Sequence, residues 1–182
     1  MLHVKLNIKN GKLSGFPESY STRKGNVMVQ EFNNLGIRDK VIVQNAWYSV
    51  NQCIANPNKL YVFGDNTLRV GMAGQASIRK CLNSTGLATK LHPGMEEGDF
   101  MSDNFYNEHC SVIEKDLIKI LKRFENPDNG YNQLIFPYDG LGTGLSQLPE
   151  KAPKVYKFLC DKLASMFGVY TDANGKLYIP GR

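Results

Sequence analysis

The stretch KLYVFGDNTLRVGMAGQASIR, residues 59–79, runs from an apolar segment through Asp65 and Asn66 to Gly71 and Gly74. Its first part, KLYVFGDN, predicts a buried strand because four apolar residues follow one another without interruption. Glycine lacks a Cβ atom, so the backbone of the loop can approach a ligand closely. The pattern that follows is helix-like, and the amides at a helix start favour an anion. The stretch therefore predicts a strand, a ligand-binding loop and a helix.

The composition is typical of one soluble globular domain spanning residues 1–182. Of these residues 42% are hydrophobic and 21% charged, which is enough for one core. No run approaches the roughly 18 apolar residues of a membrane span, and the first residues lack a signal-peptide pattern. We therefore expect a cytoplasmic protein without a membrane partner. The net charge of +5 is typical of proteins that bind anionic partners.

The cysteines and histidines do not indicate metal chemistry. The four cysteines stand singly, without a CxxC pair or a histidine at zinc-ligand spacing, and we expect reduced, structural thiols. The acidic segment 91–110 contains two histidines at irregular spacing. We interpret this segment as a lid, with the alternative that its aromatic residues pin a long loop to the core. We expect neither a metal nor another cofactor.

A strand, a loop and a helix follow one another twice in the chain. QLIFP, residues 133–137, predicts a second buried strand, and the glycine-rich loop YDGLGTGLSQLP follows it. Apolar residues at helical spacing predict helices over residues 113–124 and 155–167. Residues 41–58 form either a short strand or a helix that ends at Asn56-Pro57. This alternation predicts an α/β sandwich with parallel strands, in which ligands bind outside the carboxyl ends of the strands.

The first 40 residues form an N-terminal β extension to which we assign no role. HVKLNIKNGKLSGF predicts a hairpin turning at Asn10-Gly11, because this dipeptide readily adopts the positive φ angles of a tight turn. NVMVQEF, residues 26–32, is a candidate strand.

The two glycine loops do not match the common nucleotide-binding motifs. GMAGQAS lacks the Gly-Lys-Ser/Thr ending of a P-loop. GLGTG, residues 140–144, is not a Rossmann turn, because five residues separate it from the next helix late in the chain. Its backbone and Thr143 can still donate to a phosphate, with an empty turn as the alternative.

Taken together, the loops resemble those of the macro domain, a family that binds ADP-ribose. In the first loop and the residues after it, the residues that carry the resemblance are Asn66, Leu68, Gly71, Gly74, Ala76 and Ile78. In the second they are Pro137, Thr143, Gly144 and Pro149. The similarity covers residues 60–167.

The resemblance implies a three-layer sandwich with a mixed, partly parallel sheet and a pocket for ADP-ribose or a related nucleotide. Asn66 would bind the distal ribose. The other ligand-binding residues that the resemblance and the loop positions suggest are Gly71, Gly74, Gln75, Gly142, Thr143, Gly144 and Leu145. The triple glycine of the family is reduced to GMAG here, and the early Gly-Asp-Ile aspartate that holds adenine is not found.

Three residues are candidates for catalysis: Asp65, Asn66 and Asp139. Either aspartate is a candidate general base if the two loops bring the carboxylates together, with turn stabilisation as the alternative role. The leading hypothesis is an enzyme that hydrolyses an ADP-ribosyl bond or an ADP-ribose phosphate, with an ADP-ribosylated macromolecule as its partner. The alternatives are a binding module without turnover, and an accessory factor that binds nucleic acid or protein through a basic surface.

Overall fold

A computed structural model of the chain describes residues 7–9, 12–14 and 36–182. The chain divides into two compact units, residues 1–36 and 37–182. In the first unit, β1 (Asn7–Lys9) pairs antiparallel with β2 (Lys12–Ser14), and Lys9 lies opposite Lys12. The predicted hairpin is therefore confirmed. Its turn residues, and the candidate strand at 26–32, lie outside the described residues.

A four-stranded parallel sheet organises the second unit. Its strands are β3 (Val41–Gln44), β4 (Lys59–Asn66), β5 (Ser84–Lys90) and β6 (Gln133–Pro137), arranged in the order β3-β6-β4-β5. All three pairings between neighbours are parallel. Antiparallel pairing is found outside this sheet, in the hairpin of the first unit and in a separate ribbon, β7 (Tyr170–Thr171) with β8 (Leu177–Tyr178).

The α-helices that lie between the strands of the second unit are α1 (Val50–Ala55), α2 (Tyr106–Glu125), α3 (Leu148–Lys151) and α4 (Pro153–Phe167). The two longer helices confirm the predictions from apolar spacing. Segment 41–58 contains both of the alternatives, a strand and then a helix capped by the Ser49 hydroxyl, which accepts from the Gln52 amide at 3.1 Å. Within the described part of the chain, no helix has the length and apolar character needed to cross a membrane.

The helix expected after the first glycine loop is a short 3-10 helix, Gly74–Ile78. The chain turns immediately after it, with the Cys81 amide donating to the Ile78 carbonyl at 2.8 Å, and enters β5 at Ser84. Five residues leave no room for a stable α-helix, whereas a 3-10 turn of this length is common.

The sheet is covered on both faces. Along β4, Leu60 and Val62 face the larger core, which also contains apolar residues of α2 and α4. Tyr61 and Phe63 face a second core beneath α1 and the 3-10 helix. Successive strand residues point to opposite faces, so an uninterrupted apolar run marks a strand buried on both sides. The three-layer α/β sandwich is confirmed.

Candidate functional site

A cavity of about 510 Å³ lies at the carboxyl ends of β4, β5 and β6. This volume is within the usual range for a small-molecule site. All ten predicted site residues line it: Asp65, Asn66, Gly71, Gly74, Gln75, Asp139, Gly142, Thr143, Gly144 and Leu145. The two glycine loops meet here because β4 and β6 are neighbouring parallel strands.

The first loop follows a path that only glycine adopts readily at two positions. Gly71 has φ = 95° and Gly74 has φ = 56°, and nothing lies within 4 Å of where their Cβ atoms would be. Arg69 is also left-handed, at φ = 58°. Since such a conformation is strained for a residue with a side chain, other contacts must hold Arg69 in place.

Those contacts come from Asp116 on α2. The guanidinium of Arg69 donates to both carboxylate oxygens of Asp116, at 2.6 and 2.8 Å. Asp116 is buried and also accepts from the Ala88 amide of β5 at 2.7 Å. This ion pair ties the first loop to α2 and to the sheet.

Asp65 is held by two arginines that follow it in the chain. Its carboxylate accepts two hydrogen bonds from Arg79, at 2.9 and 2.5 Å, and lies 3.5 Å from a guanidinium nitrogen of Arg69. A Cβ atom on Gly86 of the neighbouring strand would overlap this carboxylate. These are the contacts of a residue that stabilises a loop, which is the second of the two roles that the sequence left open for Asp65.

Asn66 has a buried acceptor without a partner. Its side chain is only 8% exposed, and its Nδ2 donates to the Val70 carbonyl at 2.8 Å. Its Oδ1 accepts no hydrogen bond within the described residues. A buried oxygen of this kind is energetically unfavourable until a donor reaches it. Asn66, which lines the cavity, therefore contains a buried acceptor that lacks a partner.

Gln75 joins the two loops. Its Oε1 accepts from the Gly64 amide at 2.8 Å, and its Nε2 donates to Asp139 Oδ1 at 2.9 Å and to the Gly140 carbonyl at 2.8 Å. The half-buried Asp139 is thus oriented at the cavity by a neutral amide, whereas Asp65 is neutralised by arginine.

Beneath the cavity, the hydroxyl of Tyr48 bridges two strands. It donates to the Val62 carbonyl of β4 at 2.8 Å and lies 3.2 Å from the Ile135 carbonyl of β6. Burial, and then the negative charge of Asp139, raise the pKa of Tyr48 well above its ordinary value. The hydroxyl therefore keeps its proton and its bond to the sheet.

Several lining residues are not among the ten predicted site residues: Trp47, Arg79, Lys90, Ser146, Asn174 and Lys176. For Arg79 and Lys90 the sequence allowed a contact with phosphate but favoured a solvated helix face. Trp47 is 70% exposed, and Asn174 and Lys176 belong to the turn between β7 and β8. Arg79 and Lys90 have the composition of an ordinary charged surface, so nothing local distinguishes them. Trp47 is the single tryptophan of the chain and lies between a strand and a helix, and this was the one feature of the sequence that could have indicated one of these lining residues.

Segment 91–110 packs onto the body of the second unit. Phe100 is buried, and the ammonium of Lys151 lies 4.8 Å from its ring centroid. The carboxylate of Asp103 accepts from the first amides of α4, those of Lys154 and Val155, both at 3.1 Å. Among the described residues, no group of acids, histidines and cysteines is arranged to hold a metal ion. These contacts favour the pinned loop over the lid.

Fold and cavity together define an α/β protein with a cavity at the carboxyl edge of a parallel sheet. Residues 43–162 match the model of a family of unknown function (DUF7831), and the chain belongs to this family. The match includes all ten predicted site residues and ends before the turn that carries Asn174 and Lys176. No curated protein and no solved structure matches the chain.

Proposed function

We propose that the cavity binds ADP-ribose or a related nucleoside diphosphate sugar, and that the protein hydrolyses a bond at the distal ribose. The observation that carries this proposal is the buried, unpartnered Oδ1 of Asn66, a residue that lines the cavity. A sugar hydroxyl is a donor of the required kind, because it gives one hydrogen bond and also accepts others.

The second loop supports a diphosphate beside that sugar. Gly140 and Gly142 have φ values of 103° and 82°, so the backbone changes direction twice within the loop. Gly144 has open space around its Cα, so a ligand can approach the backbone there. Backbone amides in such a loop form an anion-binding concavity, and the Thr143 and Ser146 hydroxyls add polar groups.

Trp47 supports a ring system at the mouth of the cavity. It is the single tryptophan of the chain, and its largely exposed side chain lines the cavity. A nucleobase stacked on the indole would cover apolar surface that is otherwise in water. We assign no residue to the recognition of adenine, so the proposal covers nucleoside diphosphate sugars in general.

Asp139 is the proposed general base. Its carboxylate accepts one hydrogen bond from Gln75 and retains acceptor capacity for a water molecule. The water oxygen forms a bond to the anomeric carbon of the distal ribose, while the bond from that carbon to its substituent breaks with its electron pair going to the substituent. Asp139 takes a proton from the water and returns it to the departing group.

Titration calorimetry and the fluorescence of Trp47 test the binding. We expect ADP-ribose to bind saturably and to change the indole emission, with AMP and ribose 5-phosphate much weaker. Gly144→Glu should abolish binding, because it places a carboxylate in the open space beside the diphosphate. Gly98→Glu is the matched control, since Gly98 also has open surroundings but does not line the cavity. Folded wild-type protein that binds none of these ligands would overturn the proposal.

Hydrolysis is tested with the Asp139→Asn variant. We expect it to keep the wild-type affinity for ADP-ribose and to lose the release of ADP-ribose from ADP-ribosylated substrates. Wild-type protein that binds but never turns over would refute the hydrolase and leave the binding module.

A basic face on α2 favours a second candidate function, binding of a polyanion. Lys115, Lys119, Lys122 and Arg123 line a shallow depression whose lining contains no acidic residue. The three lysines are exposed and recur at helical spacing. Nucleic acid bound here would dissociate steeply with added salt, and replacing the three lysines by glutamine would weaken binding and reduce its salt dependence.

A further inference from the structure

The turn between β7 and β8 forms one wall of the cavity. Asn174 and Lys176, which belong to this turn, are exposed and line the cavity together with the second glycine loop. The match to the family model ends at residue 162, and the resemblance to the macro domain ends at residue 167. The turn is therefore a part of the cavity to which neither similarity assigns a role.

Hydrogen bonds to Asp172 fix the shape of this turn. The Asp172 carboxylate accepts from the Asn174 amide at 2.8 Å and from the Lys176 amide at 2.9 Å. The Asp172 amide donates to the Lys176 carbonyl at 2.9 Å, and the Gly175 amide donates to the Asp172 carbonyl at 3.0 Å. An aspartate that accepts from the backbone amides following it is a common means of stabilising a tight turn. The backbone positions of Asn174 and Lys176 are thus fixed within the turn.

The turn packs directly against the second glycine loop. A Cβ atom on Gly140 would overlap the Gly175 carbonyl oxygen, and a Cβ atom on Gly175 would overlap the Thr143 methyl group. The Leu177 amide donates to the Tyr138 carbonyl at 2.9 Å, which ties β8 to the start of the loop. Because these loop residues line the cavity, the turn and the loop that we assign to the diphosphate form one continuous wall.

Lys176 differs from Arg79 and Lys90, the other cationic residues among the described residues that line the cavity. Arg79 already pairs with a buried carboxylate, and the ammonium of Lys90 donates to a backbone carbonyl outside the cavity lining. The ammonium of Lys176 lies 5.2 Å from the ring centroid of Tyr138, which lines the cavity. In the part of the chain that the structure describes, no carboxylate oxygen lies within 4.0 Å of this ammonium. Lys176 is therefore available to pair with an anionic ligand.

We infer that Lys176 binds the diphosphate of the ligand, with its ammonium donating to the phosphate oxygens from the β7–β8 turn while the second glycine loop supplies backbone amides. The inference rests on the proposed function and adds to it a residue that selects for the charge of the ligand. A lysine ammonium is a point charge with three donors, and a charge-assisted bond to phosphate is about twice as strong as a neutral one. Backbone amides alone would bind the diphosphate without neutralising it.

Calorimetry with ADP-ribose tests the inference in three variants. We expect Lys176→Met to weaken binding by about tenfold or more, the size of one charge-assisted bond, because Met keeps the apolar part of the side chain and removes its charge. Lys176→Arg keeps the charge, and its affinity should stay within about threefold of that of the wild type. The matched control is Lys40→Met, at an exposed lysine that does not line the cavity, and it should leave the affinity unchanged.

Acetylation of lysines, followed by mass spectrometry, gives a second measurement that needs no variant. We expect saturating ADP-ribose to protect Lys176 from the reagent and to leave Lys40 as reactive as in the free protein. Three results would overturn this inference and leave the proposed function standing: wild-type affinity in Lys176→Met, an equal loss of affinity in Lys40→Met, or labelling of Lys176 that ADP-ribose does not change. Wild-type protein that does not bind ADP-ribose would overturn both.

Discussion

Replacing Asp116 by Asn should destabilise the protein and impair the cavity at the same time. The substitution removes the negative charge of a buried carboxylate. This carboxylate accepts two hydrogen bonds from Arg69 and a third from the Ala88 amide. Breaking a fully buried pair costs about 3–5 kcal/mol. The Arg69 side chain is 42% exposed, so solvent screening reduces the expected loss to about 2 kcal/mol. For a domain of this size that corresponds to a decrease in melting temperature of about 4–8 °C.

The binding effect follows from the backbone. Arg69 is left-handed, and the Asp116 carboxylate is what offsets the strain of this conformation. We therefore expect Asp116→Asn to weaken ADP-ribose binding although Asp116 does not line the cavity. Urea unfolding followed by circular dichroism gives the stability, and calorimetry gives the affinity.

The control is Asp161→Asn, the same substitution in an exposed ion pair with Lys157 at 2.7 Å. Exposed pairs of this kind contribute little, so its unfolding midpoint should equal that of the wild type. Equal midpoints for the two variants, or unchanged affinity in Asp116→Asn, would refute the reasoning.

Three further predictions concern the loops and the thiols. Gly74→Ala should lower the free energy of unfolding in urea by about 1–2 kcal/mol, because Gly74 has the left-handed φ of 56°. The control is Gly98→Ala, at a helical glycine with equally open surroundings, which should not destabilise the protein. Equal losses of stability in the two variants would contradict this reasoning. Gln75→Leu breaks the bonds that join β4 to the second loop and leaves the Gly64 amide without its partner. Urea unfolding should show a loss of about 1–3 kcal/mol, the cost of an unsatisfied buried group, and unchanged stability would contradict this. The thiol of Cys53 is buried and burial raises its pKa to about 12, so at pH 8 Ellman's reagent should leave it unmodified in the native protein and modify it after denaturation.

The elements that the sequence predicted are those with a strong local pattern. β4 and β6 contain uninterrupted apolar runs, and α2 and α4 contain apolar residues at helical spacing. β5 was not predicted because its sequence, STGLATK, is mostly polar or small, although the fold buries nearly all of it. Its burial comes from α2, which packs over it, and no local pattern encodes that contact.

The site was predictable to the extent that it follows the strands. Parallel neighbours end at the same edge, so loops after β4 and β6 must meet, and both loops contain glycines in the left-handed region. Of the residues that were missed, Trp47, Asn174 and Lys176 reach the cavity over long separations in sequence. Lys176 comes from a turn that follows the last helix, and Trp47 precedes the first long strand. Contacts of this kind depend on tertiary packing rather than on spacing.

The surroundings of the two aspartates argue for different roles in the same cavity. Asp65 faces two arginines that occupy both of its carboxylate oxygens, and a carboxylate held in this way stabilises a loop. Asp139 faces an amide, which orients the carboxylate and adds no positive charge. Because a general base needs a carboxylate oxygen that is free to bind the water molecule, the proposed hydrolysis assigns that role to Asp139 and leaves Asp65 to fix the path of the first loop. Neutralising Asp65 should therefore abolish binding as well as turnover, whereas neutralising Asp139 should abolish turnover alone.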